Sequence, residues 1–109
     1  MSPLIGKWRI VEAGLWDRNY LDMSGPAFIE FKGDGSGETR FGCVVAGLEC
    51  SYSPSTAIFT WQGHDEMDEA DGDGFAELND DGTLSVEFSF RNGDEATLKA
   101  QRTSFSAAC

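Results

Sequence analysis

Carboxylates are the side chains in this sequence best suited to chemistry, and they are concentrated in one continuous half of it. Between Phe41 and Phe90 there are eleven acids and no Lys or Arg, whereas the rest of the chain has eight acids and eight bases. The net charge of −11 therefore arises from this half. The acids are Glu49, Asp65, Glu66, Asp68, Glu69, Asp71, Asp73, Glu77, Asp80, Asp81 and Glu87. Their densest run, residues 64–74, is predicted to be an exposed loop.

Paired carboxylates can act as a general acid and a general base when burial raises the pKa of one of them. Asp65 with Asp68, and Glu66 with Glu69, are the candidate pairs. An exposed loop would keep both members solvated, so neither would meet this requirement. The only histidine, His64, lies among these acids, and no Ser or Cys has an evident base beside it. We therefore predict that the protein is not an enzyme.

Carboxylates at regular spacing also bind Ca²⁺, and part of the acidic run has the spacing of a twelve-residue calcium loop. The first, third, fifth, ninth and twelfth places are Glu69, Asp71, Asp73, Glu77 and Asp80. Gly74 stands at the sixth place, as such loops require. However, the first place holds Glu instead of Asp, the last holds Asp instead of Glu, and strands are predicted on both sides. A Ca²⁺ site is therefore an alternative, and the main prediction is a protein without metal or cofactor.

A strong negative field repels nucleic acid and anionic lipid surfaces and attracts basic proteins. We therefore expect a basic protein partner and no direct binding to nucleic acid or to a membrane. The predicted partner-binding residues are Asp65, Glu66, Met67, Asp68, Glu69, Asp71, Asp73 and Phe75. Met67 and Phe75 would be apolar anchors inside a charged rim. The competing interpretation is that the acidity only maintains solubility.

Length and composition indicate one folded domain over residues 1–109. The chain is 40% apolar and 12% aromatic, which is enough apolar surface to form a core and excludes a disordered acidic tail. We find no apolar run of about 18 residues and no charged-then-apolar leader, so a cytoplasmic location is expected. Three cysteines, an odd number, also fit a reducing compartment. The oligomeric state stays open.

Alternation of apolar and polar residues predicts about eight short strands joined by hairpins. The predicted inward-facing aromatic residues are Trp8, Phe31, Phe41, Tyr52, Phe59, Trp61, Phe88 and Phe90. Between residues 14 and 25 the alternation stops, and Trp16, Tyr20 and Met23 recur at spacings that predict a short helix or lid. Residues 103–109 are predicted to be a flexible tail. The predicted fold is an all-β, antiparallel, up-and-down barrel.

Two hairpins decide which side chains face each other. A tight loop at Ala46 and Gly47 would place Cys43 opposite Cys50, as a redox pair, half of a metal site, or two small buried side chains. A three-residue loop over residues 92–94 would place Phe88 opposite Leu98. The third cysteine, Cys109, is predicted to be an exposed thiol, and no role is assigned to it.

Gly6-Lys7-Trp8 on the first strand, together with Arg102 on the last, resembles the pairing found in the calycin superfamily, which contains the lipocalins and fatty-acid-binding barrels. The resemblance implies that the arginine lies over the tryptophan and closes one end of the barrel. It also implies a second possible function, the carriage of a small apolar ligand. The long inward aromatic list favours a filled interior, because an eight-stranded barrel is only just wide enough for its own side chains.

A second resemblance covers nearly the whole chain and is to a family of small uncharacterised bacterial proteins. The motifs that carry it are residues 6–10 (GKWRI), Trp16-Asp17 with Tyr20 and Asp22, Phe41-Gly42, residues 61–68 (WQGHDEMD) and residues 81–84 (DGTL). The family implies no activity. Where its members have Gly-Arg-Gly-Trp, this chain has Gly72-Asp73-Gly74-Phe75, so part of the acidity is particular to this protein.

Together these observations favour a non-enzymatic binding or inhibitor protein that imitates nucleic acid. Its acidic face would occupy a basic, nucleic-acid-binding surface on another protein, as a phage-encoded anti-CRISPR protein would. The carrier of a small apolar ligand and the Ca²⁺-binding module are the alternatives.

Overall fold

The computed structural model describes residues 3–14, 25–91 and 93–102. It is a closed antiparallel barrel in which each of eight strands pairs with the next along the chain and the last pairs with the first. The strands are β1 (Gly6–Ala13), β2 (Phe28–Phe31), β3 (Ser36–Phe41), β4 (Val44–Tyr52), β5 (Thr56–Asp65), β6 (Asp68–Leu78), β7 (Leu84–Phe90) and β8 (Glu95–Arg102). The predicted all-β, up-and-down architecture is confirmed.

The described ranges contain no helix, and hence none long and apolar enough to cross a membrane. The short helix that we predicted after the first strand, with Trp16, Tyr20 and Met23, falls on residues 15–24, which lie outside those ranges. The structure therefore gives this helix no support. Cys109 and the predicted flexible tail, residues 103–109, lie outside the described ranges as well.

Aromatic rings fill the inside of the barrel. Six of the predicted inward rings are 2% exposed or less, namely Trp8, Phe31, Phe41, Phe59, Trp61 and Phe88. The other two, Tyr52 and Phe90, are partly buried and pack against this cluster. Phe88 stacks on Trp61 with the ring centres 4.5 Å apart and meets Phe41 edge-on at 5.0 Å. Burial of these large rings contributes strongly to the hydrophobic stabilisation, because each removes a large apolar area from water.

The acidic run over residues 64–74 is a strand hairpin, so the prediction of a loop is wrong. β5 continues to Asp65, β6 begins at Asp68, and Glu66 turns the chain with φ at 61°. Asp and Gly are both depleted in strands, which hid the alternation in this run. The alternation is nevertheless present from Glu69 onward, since Glu69, Asp71, Asp73 and Glu77 face outward and Gly72 and Gly74 face the core. A Cβ atom on Gly74 would overlap the Phe59 ring.

The hairpin predicted at Ala46 and Gly47 is also wrong. β4 runs unbroken through both residues, and the chain turns instead at Gly42 and Cys43, where Gly42 has φ at 58°. Cys50 pairs with Phe59 on the next strand, whereas Cys43 lies in the turn. The two cysteines are therefore not cross-strand neighbours, and both are free thiols. Burial of Ala46 decided the result, because β4 keeps one inward face only if its alternation continues without a break.

The predicted register of the last hairpin is wrong by two residues. Phe88 pairs with Ala96, and Leu98 pairs with Val86. The prediction set large residues opposite each other, but Phe88 lies inside the ring cluster and the small Ala96 leaves space beside it. A shift of two residues preserves the inward and outward faces, because side chains alternate with a period of two.

Residues 3–5 contact Trp8 and Arg102 at one end of the barrel. The guanidinium carbon of Arg102 lies 4.1 Å from the centre of the Trp8 ring. Its Nη1 and Nη2 donate hydrogen bonds to the carbonyl oxygens of Ile5 and Pro3. Trp8 Nε1 donates to the carbonyl oxygen of Leu4 at 2.9 Å. These contacts hold residues 3–5 against the barrel end.

Two glycines on the barrel wall give a matched test of the inward packing. We expect Gly74→Ala to lower the free energy of unfolding by about 1–3 kcal/mol, because the new methyl group must displace the Phe59 ring. Gly47 faces outward, and a Cβ atom there meets nothing within 4 Å. Gly47→Ala should therefore be neutral or stabilise the protein by up to about 1 kcal/mol. Urea unfolding would measure the free energy of unfolding of both variants. Equal changes in the two variants would contradict the inward position of Gly74.

The barrel end provides a second test. Arg102→Lys keeps the positive charge but loses the planar fork that reaches two carbonyl groups and covers Trp8, so we expect a loss of about 1–2 kcal/mol. Lys99 lies on the same strand and is exposed, so Lys99→Arg serves as the control, with an expected change below about 0.5 kcal/mol. Thermal and urea unfolding would measure both. An Arg102→Lys variant as stable as the control would show that Arg102 does not fasten the barrel end.

Candidate functional site

The four neighbouring strands β4 to β7 form a continuous half of the barrel that contains no Lys or Arg. We call residues 44–90 the acidic wall, and all eleven acids noted above belong to it. Because each of these four strands pairs only with its neighbours in sequence, a bias of charge along the chain becomes a bias of charge in space. The bases in the described ranges lie on other strands or in loops, at Lys7, Arg9, Lys32, Arg40, Arg91, Lys99 and Arg102.

The predicted partner-binding residues occupy two adjoining parts of the acidic wall. Asp65, Glu66, Met67 and Asp68 meet at the turn between β5 and β6, where Met67 is 95% exposed. Glu69, Asp71, Asp73 and Phe75 follow as alternate residues of β6 on its outer face. Two residues of an antiparallel strand span about 6.8 Å, so the carboxylates of β6 stand at regular intervals. Glu49 on β4 and Glu87 on β7 are exposed on the flanking strands.

One acid of the wall is neutralised by a neighbouring base. Arg91 Nε donates to Asp71 Oδ1 at 2.8 Å, and Arg91 Nη2 donates to Asp71 Oδ2 at 2.6 Å. These hydrogen bonds lower the pKa of Asp71 below its ordinary value. In the described part of the chain, no second ion pair reaches an acid of the wall. The wall therefore keeps nearly all of its charge unpaired.

Another acid stabilises a turn. Asp81 Oδ1 accepts hydrogen bonds from the backbone N–H and the hydroxyl of Thr83, at 3.0 and 2.6 Å. These bonds lower the pKa of Asp81 and fasten the connection between β6 and β7. Asp81 is thus a structural carboxylate, in contrast to the acids on the outer face of β6.

Two exposed apolar residues of the wall were missed by the sequence analysis. Ile58 is 63% exposed and lies directly opposite Phe75, which is 37% exposed. Val45, on β4, is 53% exposed. The signal for Ile58 was present in the sequence, because it lies between the inward residues Ala57 and Phe59 and must therefore face outward. Its position beside Phe75 depends on the register of β5 with β6.

The candidate calcium ligands do not surround a common point. Glu69, Asp71, Asp73 and Glu77 lie along the extended β6, and Asp80 follows in the next turn. Among residues 3–14, 25–91 and 93–102 there is no group of three or more His, Cys, Asp or Glu side chains that could hold a metal ion. Calcium ligands in a loop must converge on one ion at about 2.3–2.6 Å. An extended strand spreads them too far apart.

The wall has its own surface groove, which lies outside the barrel. Gly47 has no side chain, and the groove above it has a volume of about 470 Å³. Glu49, Thr60, Gln62 and Arg91 are among its lining residues. The groove is mainly polar and open to solvent, and Trp61 of the aromatic interior forms part of its lining.

Comparison of the chain with protein-family models, with curated proteins and with solved structures found no match. The resemblances to the calycin superfamily and to the small bacterial proteins therefore stay predictions. The class that the structure itself defines is a closed eight-stranded antiparallel barrel with one acidic half.

The ion pair on the wall can be tested by titration. Arg91→Gln removes the guanidinium group, so the pKa of Asp71 should rise to its ordinary value near 3.8. Since folding lowers this pKa, Asp71 stabilises the wild type above its ordinary pKa and loses that contribution as the pH falls through the folded value. Carboxyl-carbon NMR against pH would measure both titrations. Lys99→Gln makes the same charge change away from Asp71 and should leave its pKa unaltered, whereas an unchanged Asp71 pKa in Arg91→Gln would contradict the pairing.

Proposed function

We propose that the protein is a non-enzymatic binding protein whose acidic wall occupies a basic surface of a partner protein. The observation that carries this proposal is that four adjacent strands and the turns between them bear eleven acids and no base, and that Asp71 is the only one of these acids in an ion pair in the described ranges. A surface that ordinarily holds nucleic acid is the basic surface that such a wall fits best. An inhibitor of a nucleic-acid-binding protein, of the anti-CRISPR kind, is the corresponding class.

Unpaired charge on one side of a rigid body has two consequences for binding. It steers a basic partner toward that side and raises the association rate, over a distance set by the Debye length of about 8 Å at physiological salt. It also leaves the carboxylates other than Asp71 without an ion-pair partner, so a basic surface can pair with these and break no existing ion pair. Both effects weaken as the salt concentration rises.

The outer face of β6 supports imitation of a nucleic acid backbone. Glu69, Asp71 and Asp73 stand at intervals of about 6.8 Å along a strand, and the first and third of them are unpaired, whereas Asp71 is paired with Arg91. β6 is paired with β5 along its whole length and with β7 from Gly72 to Leu78. The charges are thus held on a rigid support, which reduces the entropy lost when a partner binds.

The two alternative functions find less support in the structure. A small apolar ligand would need space inside the barrel, where the rings of Trp61, Phe59 and Phe88 are in mutual contact. A calcium ion would need convergent carboxylates, and those of β6 lie along an extended strand. If the acidity only maintains solubility, the positions of the acids should not affect binding to a partner. The proposal differs from this interpretation because it requires the acids to lie on the acidic wall.

A matched pair of variants tests whether position matters. The first neutralises the turn of the wall with Asp65→Asn, Glu66→Gln, Asp68→Asn and Glu69→Gln. The second neutralises the opposite half with Glu12→Gln, Glu30→Gln, Glu38→Gln and Glu95→Gln. Each set removes four of the negative charges. Each protein is immobilised and used to capture partners at about 50 and about 500 mM salt.

We expect the wild type and the second variant to bind the same basic protein at low salt and to displace labelled nucleic acid from it. The first variant should bind that protein on the order of tenfold or more weakly, because its carboxylates no longer steer or contact the partner. Calorimetry with the purified partner gives the affinities. The proposal fails if both variants lose affinity equally, or if binding is insensitive to salt and to the first set of changes.

A further inference from the structure

We propose that Phe75, Ile58 and the three carboxylates around Phe75 form a docking site for an arginine side chain of the partner. This inference rests on the proposed function and adds the chemistry of its central contact. It is carried by an apolar pair on the outer sheet face and by the charges that border this pair.

The apolar pair lies where a barrel wall ordinarily carries polar residues. Phe75 and Ile58 are direct cross-strand partners, and their side chains point away from the core, because Ala57, Phe59 and Ala76 beside them are buried. Directly opposed residues have Cβ atoms about 4.5–5.5 Å apart, so the two side chains form one continuous patch. An exposed aromatic residue with an aliphatic neighbour is the usual composition of an interface anchor.

Carboxylates border Phe75 on three sides. Asp73 and Glu77 lie two residues before and after Phe75 on the same face of β6, at about 6.8 Å along the strand. Glu87 is the direct partner of Phe75 on β7. All three are exposed, and within the described ranges none of them is in an ion pair. Ile58 forms the fourth side.

Arginine is the side chain that fits this arrangement. Its guanidinium group is planar and weakly hydrated, so it can stack on the Phe75 ring and direct its N–H groups to the carboxylates around the ring. Lysine offers a compact, strongly hydrated charge that does not fill the apolar patch as well. The chain contains the same kind of contact at the barrel end, where Arg102 lies over the ring of Trp8. An anionic or purely apolar partner group would leave the three carboxylates uncompensated.

Two synthetic peptides of equal charge test the inference. In one peptide arginine alternates with serine, and in the other lysine alternates with serine. NMR titration of the isotope-labelled protein at about 50 mM salt gives both the affinity and the location of binding. We expect the arginine peptide to bind about three- to fivefold more tightly, with the largest shifts at Phe75, Ile58 and Glu87.

Four variants, one of them a control, identify the source of this preference. Phe75→Thr should abolish it, because the ring is lost while the surrounding charges remain, and Phe75→Tyr should keep it. Glu87→Gln should reduce it independently of the ring. Val45→Thr removes another exposed apolar residue of the wall and should leave the preference unchanged. Circular dichroism and the thermal midpoint would verify that each variant is folded.

The outcomes separate this inference from the proposed function. If both peptides bind equally and both weaken with salt, or if Phe75→Thr keeps the preference, the arginine site is overturned and the acidic wall still stands. If neither peptide binds at low salt, the proposed function is overturned as well. A preference for arginine that disappears in Phe75→Thr and persists in Val45→Thr is the result that supports the site.

Discussion

The contact on which the barrel depends is the packing of Phe88 against the rings around it. Its ring centre lies 4.5 Å from that of Trp61, 5.0 Å from Phe41 and 6.0 Å from Phe59. These rings come from β3, β5 and β7, so their contact draws separate hairpins around one centre. Close-packed interiors tolerate little change in volume, and the positions that face these rings must therefore be small.

This requirement connects the core to the charged surface. Gly72 and Gly74 provide the space that the Trp61 and Phe59 rings occupy, and a Cβ atom on either glycine would overlap its surroundings. A strand with glycine inside carries little apolar surface of its own. β6 is held instead by its hydrogen bonds to β5 and β7, so its outward positions are free to hold Asp71 and Asp73. The acidic face and the aromatic core are thus two sides of the same strand.

The separation of charge follows from the topology. In an up-and-down barrel, neighbours in sequence are neighbours in space. The fifty residues 41–90, which contain no base, therefore form one half of the barrel. Like charges at this density repel each other and oppose folding. The barrel folds despite this repulsion because the buried rings stabilise it. Arg91, which follows β7, reduces it through its ion pair with Asp71.

The barrel class, the inward rings of β5 and β7 and the acidic half were all determined by the sequence alone, because a period of two and a bias of charge can be recognised without knowing any partner strand. Three features were decided only by the tertiary structure: the strand character of residues 68–74, the turn at Gly42 and the pairing of Phe88 with Ala96. Each depends on the volumes of side chains that meet across strands. The sequence does not show that a glycine faces the core, because this depends on the ring that occupies the space beside it. The exposed residues Ile58 and Phe75 become neighbours only through the register of β5 with β6.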